Sequence, residues 1–368
     1  MLEKFARLYD SVNSNLVERS DVIKGSIVAM LAQKHVFLIG PPGVAKSLAI
    51  EHLCRAISDN GDENGIKYFR KLMDRFGKPE DLFGPYSIAG LKEDRYERKW
   101  EGYLPSAHIA FLDECWKASG SILNTLLTIM NERIFDNGMI TVRTPLISLF
   151  GASNELPEDS SLNALYDRFI LRYEVKDIVD DDNFKSMLLT AGNEITSAMT
   201  LDDLKQAQTL VKDVELNGIV DTLAMLRGRL KSEGFWFTPR RWKESVDVLK
   251  AYAWFHGRSE VTMEDFEILT HIFWDKPEDQ KKVSKTILSM ANPDVKVALE
   301  ILDKAQEIKD NAIKAGNSAA GTEANDKFKR LLGQLNGLKA NQKIQEVTAN
   351  VKDMRREVLS TCLGFGEM

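Results

Sequence analysis

Four apolar residues behind a histidine, HVFLI at 35–39, run without interruption into GPPGVAKS at 40–47, and few folds accommodate that succession. A short continuous apolar run reads as a buried strand. The Gly-Pro-Pro-Gly break then turns the chain, and the sequence predicts a helix from about Lys46. A strand, a glycine turn and a helix N-terminus together aim backbone N–H groups at an anion. An ordinary glycine-rich strand-to-helix turn would carry similar residues. The segment nevertheless nearly matches the phosphate-binding (Walker A) pattern, GxxxxGK followed by Ser or Thr. In that pattern Lys46 reaches the β- and γ-phosphates and Ser47 ligates Mg²⁺. Gly40, Pro41, Pro42, Gly43, Val44, Ala45, Lys46, Ser47 and Leu48 are therefore the candidate nucleotide-binding residues, with ATP and Mg²⁺ as candidate cofactors. One position departs: Ala45 stands where a second glycine is usual, which the loop tolerates if that position does not need positive φ.

A second signal reinforces the first. IAFLDE at 109–114 is an apolar strand ending in two adjacent carboxylates. An acidic strand end is by itself often a solvated turn. Downstream of a phosphate loop, however, Asp113 is a candidate to hold Mg²⁺ and Glu114 to polarise the attacking water. A third apolar run, LISLF at 146–150, leads to Asn154. Its amide can reach an attacking water or the γ-phosphate, although asparagine there more often caps a helix or forms a turn. Strands that alternate with helices and end in polar residues predict a parallel α/β sheet with its ligand at the carboxyl ends of the strands.

After residue 177 the pattern becomes all-helical, with segments at 239–257 and 262–274. Beyond residue 277 the chain is rich in Lys, Asp, Glu and Ala. Two helical patterns there, 283–315 and 323–363, flank a Gly/Ser/Ala break at 316–321. They read as a helical hairpin or as charged helices packed on the body. The expected division is an α/β domain at 1–177, a helical lid at 178–276 and a helical extension at 277–368.

Charge and cysteine usage narrow the function classes. A net charge of −6 argues against a general nucleic-acid binder. Cys54, Cys115 and Cys362 are widely separated, which is neither a disulfide framework nor a zinc spacing and suits a reducing compartment. No HxxxH pair occurs, and no apolar run approaches membrane-spanning length. A cytoplasmic location without membrane insertion is expected.

The ordered stretches GPPGVAKS at 40–47, RFGKPEDLFGP at 75–85, GYLPSAHIAFLDE at 102–114, ILNTLLTIMNERIFDNG at 122–138, GASNELPE at 151–158 and ALYDRF at 164–169 resemble the MoxR branch of AAA+ ATPases, and especially its RavA subgroup. That subgroup's loop shares the alanine at Ala45. The resemblance implies that Asn154 is sensor 1 and Arg168 the arginine finger. It also implies that Arg240, with Arg241 a close second, is sensor 2 in TPRR at 238–241. A finger supplied by a neighbour requires a closing heterologous interface, and the family implies a hexamer. It further implies an insert between Asp81 and Tyr103, with a strand-and-turn segment at 86–90, and a hairpin before sensor 1. Asn137-Gly138 between apolar flanks is itself a hairpin signal. The implied function is ATP hydrolysis in a ring with chaperone-like remodelling or assembly of a protein partner, such as one bearing a von Willebrand factor A domain. A nucleic-acid motor and a nucleotide-gated scaffold with slow hydrolysis are the alternatives. The extension at 277–368 is the candidate for partner specificity.

Overall fold

The computed structural model describes residues 1–57, 66–189, 194–339 and 342–363. Seven strands are present among them: β1 (His35–Ile39), β2 (Tyr68–Leu72), β3 (Ile109–Asp113), β4 (Ile134–Asn137), β5 (Ile140–Arg143), β6 (Ser148–Ser153) and β7 (Phe169–Glu174). The longer helices of the first half are α1 (Leu2–Asn13), α2 (Ser20–Ala32) and α3 (Lys46–Ala56), followed by the short α4 (Pro79–Phe83) and α5 (Ile88–Leu91), then α6 (Gly120–Glu132) and the short α7 (Asn163–Tyr166). The second half contains α8 (Asp181–Leu189), α9 (Leu201–Lys212), α10 (Ile219–Ser232), α11 (Pro239–Phe255), α12 (Pro277–Ala291), α13 (Pro293–Ala315), α14 (Ser318–Asn336) and α15 (Gln342–Leu363).

Five strands form one parallel sheet in the order β2-β3-β6-β1-β7. Every residue of β1 and β6 is buried, as expected of central strands covered on both faces. Register fixes the relative heights of the strand ends. Ile39 pairs with Ser153 and Asp113 with Ala152, so GPPG, Asp113-Glu114 and Asn154 emerge along one edge. At the other end His35 pairs with Phe169. Phe37, Trp116, Tyr166 and Phe169 pack ring on ring in the core, with Phe37 and Trp116 centroids 4.8 Å apart.

The antiparallel pair β4-β5 is the expected hairpin, but its turn differs from an Asn-Gly turn. Asn137 pairs with Ile140, so the loop is Gly138-Met139. Gly138 has φ +68° while Met139 is absent from the positive-φ residues, which is the geometry with glycine at the first turn position. A side chain on Gly138 would also lie 2.3 Å from the Tyr96 carbonyl oxygen. Asn137 is instead a clamp. Its Oδ1 accepts from the Arg98 N–H at 2.6 Å and its Nδ2 donates to the Arg98 carbonyl at 3.1 Å, which joins hairpin to insert. Within the insert, residues 86–90 are not strand-and-turn. Only Tyr86 makes a bridge, with Arg98, and Ser87 caps the turn of α5 by accepting from the Gly90 N–H.

The chain divides into two compact units, residues 1–220 with 236–277, and residues 221–235 with 278–368. In the first, α11 begins at Pro239 with Thr238 as its cap. The segment expected as a helix at 262–274 is a 3-10 helix over Met263–His271. In the second unit α13, α14 and α15 bury Phe328, Leu335, Val347, Val351 and Val358 between them. The two long helical patterns are each broken. Asn292 caps α13 through the Asp294 and Val295 N–H groups and Pro293 opens it, which separates α12 from α13. Most of the expected break at 316–321 is helical: Gly316 closes α13 with φ +60°, Asn317 caps α14, and Gly321 is buried within α14.

Candidate nucleotide-binding site

The loop at 40–47 is fixed at both ends. The Gly40 N–H donates to the Ser153 carbonyl at 3.1 Å. A Cβ on Gly40 would sit 2.1 Å from the Val175 carbonyl oxygen, so only glycine fits against the end of β7. Ala45 caps α3 with φ 64° and ψ 24°, the left-handed region that a second glycine would enter freely. The loop position therefore does need positive φ, and alanine adopts it under strain. Leu48 is exposed and Ser47 half-buried in the first turn of α3.

Lys46, Asn154 and Glu114 form a connected chain. Lys46 Nζ donates to the carbonyls of Gly40 and Pro41, the latter at 2.9 Å, and to Asn154 Oδ1 at 3.2 Å. Asn154 Nδ2 donates to Glu114 Oε1 at 3.1 Å. Burial lowers the Lys46 pKa, and the charges of Asp113 and Glu114 oppose that shift. Asp113 Oδ1 accepts the Glu114 N–H at 3.1 Å. Glu114 itself adopts φ 51° and ψ 42°. A non-glycine residue in that region costs energy and is typical of a functional position. Lys46, Asp113, Glu114 and Asn154, from three separate parts of the sequence, thus meet along one edge of the sheet.

Arg168 does not join them. It precedes β7, level with His35 at the start of β1, and five residues of strand separate that level from Gly40. At about 3.3 Å per residue this is roughly 15 Å, beyond the reach of one arginine side chain. Its Nη1 donates to the Ala164 carbonyl. Arg240 lies close to it, since its neighbours Thr238 and Arg241 both bond Asp167, the residue before Arg168. The two arginines of TPRR have different surroundings. Arg240 is exposed, whereas Arg241 is buried and paired with Asp167 at 2.9 Å and Asp275 at 2.8 Å.

A family model described as the MoxR domain in the MoxR-vWA-beta-propeller ternary systems matches residues 3–216, and one for an AAA lid domain matches residues 218–287. The chain belongs to the MoxR family of AAA+ ATPases. It is 42% identical to an uncharacterized protein of Methanocaldococcus jannaschii over 84% of this chain and 79% of that one. It is 27% identical to the chaperone MoxR1 of Mycobacterium tuberculosis over 44% of this chain and 41% of that one. The crystal structure of a "putative ATPase" from Cytophaga hutchinsonii superposes with a TM-score of 0.63 at 19% identity, covering 79% of this chain and 95% of that one. That likeness concerns the fold.

Several residues that frame this MoxR site gave no sequence signal. Arg19 is buried ahead of α2; its Nε donates to the Val44 carbonyl at 3.1 Å and its Nη2 to the Lys176 carbonyl at 2.7 Å, tying the loop to the exit of β7. Arg172, fully buried, donates to the carbonyls of Phe169, Tyr166 and Trp274 and to Asp275. A lone arginine beside apolar residues does not reveal such partners. Asp167 and Thr238 were legible only as neighbours of the two candidate arginines, yet Thr238 donates to Asp167 at 3.1 Å and caps α11.

The donor set fits the Mg²⁺ that AAA+ chemistry uses. Ser47 offers a hydroxyl and Asp113 a carboxylate, both hard oxygen ligands. Among the described residues no group of three or more His, Cys, Asp or Glu side chains could hold a metal.

Proposed function

We propose that the chain hydrolyses ATP at a site completed by a neighbouring copy of itself, in a ring of six, and uses the cycle to remodel or assemble a protein partner. The observation that supports this reading is that Arg168, with the start of α11 bonded to Asp167 beside it, lies at the end of the sheet opposite Lys46. Residues 40–48 would cradle the phosphates. Ser47 and Asp113 would hold Mg²⁺, Glu114 would polarise the attacking water, and Asn154 would orient it. Arg168 would supply charge to the neighbour's γ-phosphate. Because Arg240 stands beside Arg168, sensor 2 would act on that neighbouring nucleotide as well.

A protein client is favoured by the surface of the insert and hairpin. Ile88, Tyr96, Met139 and Ile140 are 72%, 70%, 100% and 56% exposed, and the Asn137 clamp holds the two segments together. The matched family description names von Willebrand factor A partners, and one relative is named a chaperone. We therefore favour such a partner, with the extension at 277–368 contributing specificity and the lid at 178–276 coupling it to the core. The GPPGVAKS loop supports placement near the RavA subgroup. Among the described residues no helix is long and apolar enough to cross a membrane. Two of the free cysteines are buried, and a reducing cytoplasm suits them.

Light scattering of the Glu114→Gln protein with and without ATP tests the assembly. A shift to about six subunits on adding ATP supports the ring. A monomer under both conditions, together with undiminished ATP turnover by the parent protein, would overturn it.

A further inference from the structure

Ala45 is the strained residue of the phosphate loop, with φ 64° and ψ 24°. A left-handed backbone on a residue with a Cβ persists only where its surroundings over-determine it. One side chain grips the peptide that leads into Ala45. Arg19 Nε donates to the Val44 carbonyl at 3.1 Å. Its Nη1 and Nη2 donate to the carbonyls of Glu18 and Lys176, each at 2.7 Å. Arg19 is only 6% exposed, and among the described residues it forms no ion pair. Its planar fork instead joins three backbone segments: the turn before α2, the loop, and the exit of β7. A lysine, with a single point-like head, lacks that geometry.

The direction of the grip matters. The Val44–Ala45 peptide is trans, so its N–H points opposite to its C=O. With the Val44 carbonyl turned toward Arg19, the Ala45 N–H is turned away from it. Among the described residues that N–H donates to no acceptor, and neither do those of Gly43 and Val44. Consecutive N–H groups left free ahead of a helix form the concavity that binds an anion. A flip of this peptide would relieve Ala45 by carrying its φ to negative values. The same flip would withdraw its N–H from that row.

We propose that Arg19 is a positioning residue for nucleotide binding: it holds the Val44 carbonyl against such a flip and so keeps the Ala45 N–H presented to the phosphates. The inference rests on the reading above in which residues 40–48 cradle the phosphates. Arg19 acts through Ala45 and not on the phosphates directly. Glycine at this position would need no such grip, because it enters the left-handed region freely. The dependence on Arg19 is therefore tied to the alanine that stands in place of the loop's usual glycine.

Calorimetric titration with ADP in two backgrounds tests it. Arg19→Met keeps an unbranched side chain and removes its donors. In the parent chain it should weaken ADP binding about 10-fold, the cost of an unsupported left-handed alanine expressed as affinity. In the Ala45→Gly chain the same substitution should weaken binding by no more than about 2-fold. An arginine that only braces the fold would lower the urea midpoint and cost the same affinity in both backgrounds. Equal losses, or no loss in the parent chain, would overturn the proposal. Where Arg19→Met does not fold, Arg19→Lys, whose single head cannot serve all three carbonyls, is read by the same criterion. Lys46→Ala is the control for the cradle. If it binds ADP as tightly as the parent does, the cradle reading fails and this proposal with it. If Lys46→Ala loses ADP while Arg19→Met keeps it, this proposal alone fails.

Discussion

Arg241 and Asp167 are joined by an ion pair at 2.9 Å, and it is their sequence neighbours, Arg240 and Arg168, that remain available for chemistry. The pair acts as a rivet between the start of α11 and the residue before Arg168. Asp275 doubles it, accepting from Arg241 at 2.8 Å and Arg172 at 2.6 Å.

Arg241→Ala should therefore destabilise the fold by about 1–3 kcal/mol, because it leaves the partly buried Asp167 carboxylate without its guanidinium, while the half-exposed Asp275 keeps Arg172. Arg240→Ala should change stability by no more than about 0.5 kcal/mol while lowering ATP turnover. Urea denaturation of the two variants makes the comparison. Equal stability losses would contradict the division of labour between the adjacent arginines.

Arg168→Ala should bind ATP as the parent does and hydrolyse it about 1,000-fold more slowly or worse. Lys46→Ala should lose ATP binding itself. Nucleotide titration and single-turnover assays separate the two effects. Turnover at the parent rate by Arg168→Ala would exclude it as the finger.

Ala45 holds a left-handed conformation that costs an alanine about 1–2 kcal/mol. Glycine relieves that cost but loses about 0.5–1 kcal/mol in chain entropy. Ala45→Gly should thus raise stability by roughly 0.5–1 kcal/mol, seen as a higher urea midpoint at unchanged slope. A lower midpoint would mean that the alanine side chain contributes packing which the strain argument omits.

His35, His52, His108 and His256 are all held below the ordinary imidazole range, chiefly by burial, with His108 at about 4. The fold keeps them neutral at pH values where the unfolded chain protonates them. Their contribution to stability is complete above about pH 6.5 and declines on acidification, continuing to about pH 4 for His108. Each contributes a slope of up to about 1.4 kcal/mol per pH unit. His108→Gln should flatten the loss of stability between pH 6 and pH 4.5 in urea titrations (approximate bounds of the titration). An unchanged slope would mean that His108 is not kept neutral by the fold.

Asn137→Ala removes both bonds to the Arg98 backbone. At about 1 kcal/mol for each hydrogen bond, with more for groups left unsatisfied, it should destabilise the fold by about 2–3 kcal/mol. Amide exchange should quicken in residues 86–98 and 134–143 and remain slow in β1. Exchange that quickens everywhere would show that insert and hairpin do not move as a separate part.

The sheet and its ligand edge were legible because each relevant strand is an apolar run that stops at a polar residue. HVFLI before Gly40 and IAFLD before Glu114 are local patterns that tertiary context had no reason to override. Ala45 shows where such reading ends: the sequence gives the substitution, and only the backbone shows that φ is positive. Choosing between Arg240 and Arg241 required knowing which one faces Asp167 and Asp275, residues distant in sequence. The hairpin signal at Asn137-Gly138 was sound, but the turn is Gly138-Met139 and the asparagine reaches across to Arg98. In the extension, Asn292-Pro293 and Asn317 are ordinary helix-start signals that a continuous charged pattern obscured.

The parallel sheet has a further consequence. All five of its strands point the same way, so the chain has a front, where Lys46 and Glu114 stand, and a back, where Arg168 stands. In the proposed ring the front of each copy meets the back of the next, a heterologous contact that repeats in one direction. The distance between consecutive fronts then includes the length of β1. Adding two residues to each strand, at about 3.3 Å per residue, would lengthen that pitch by roughly 7 Å. The strand length would in that ring act as a ruler for the spacing of its subunits.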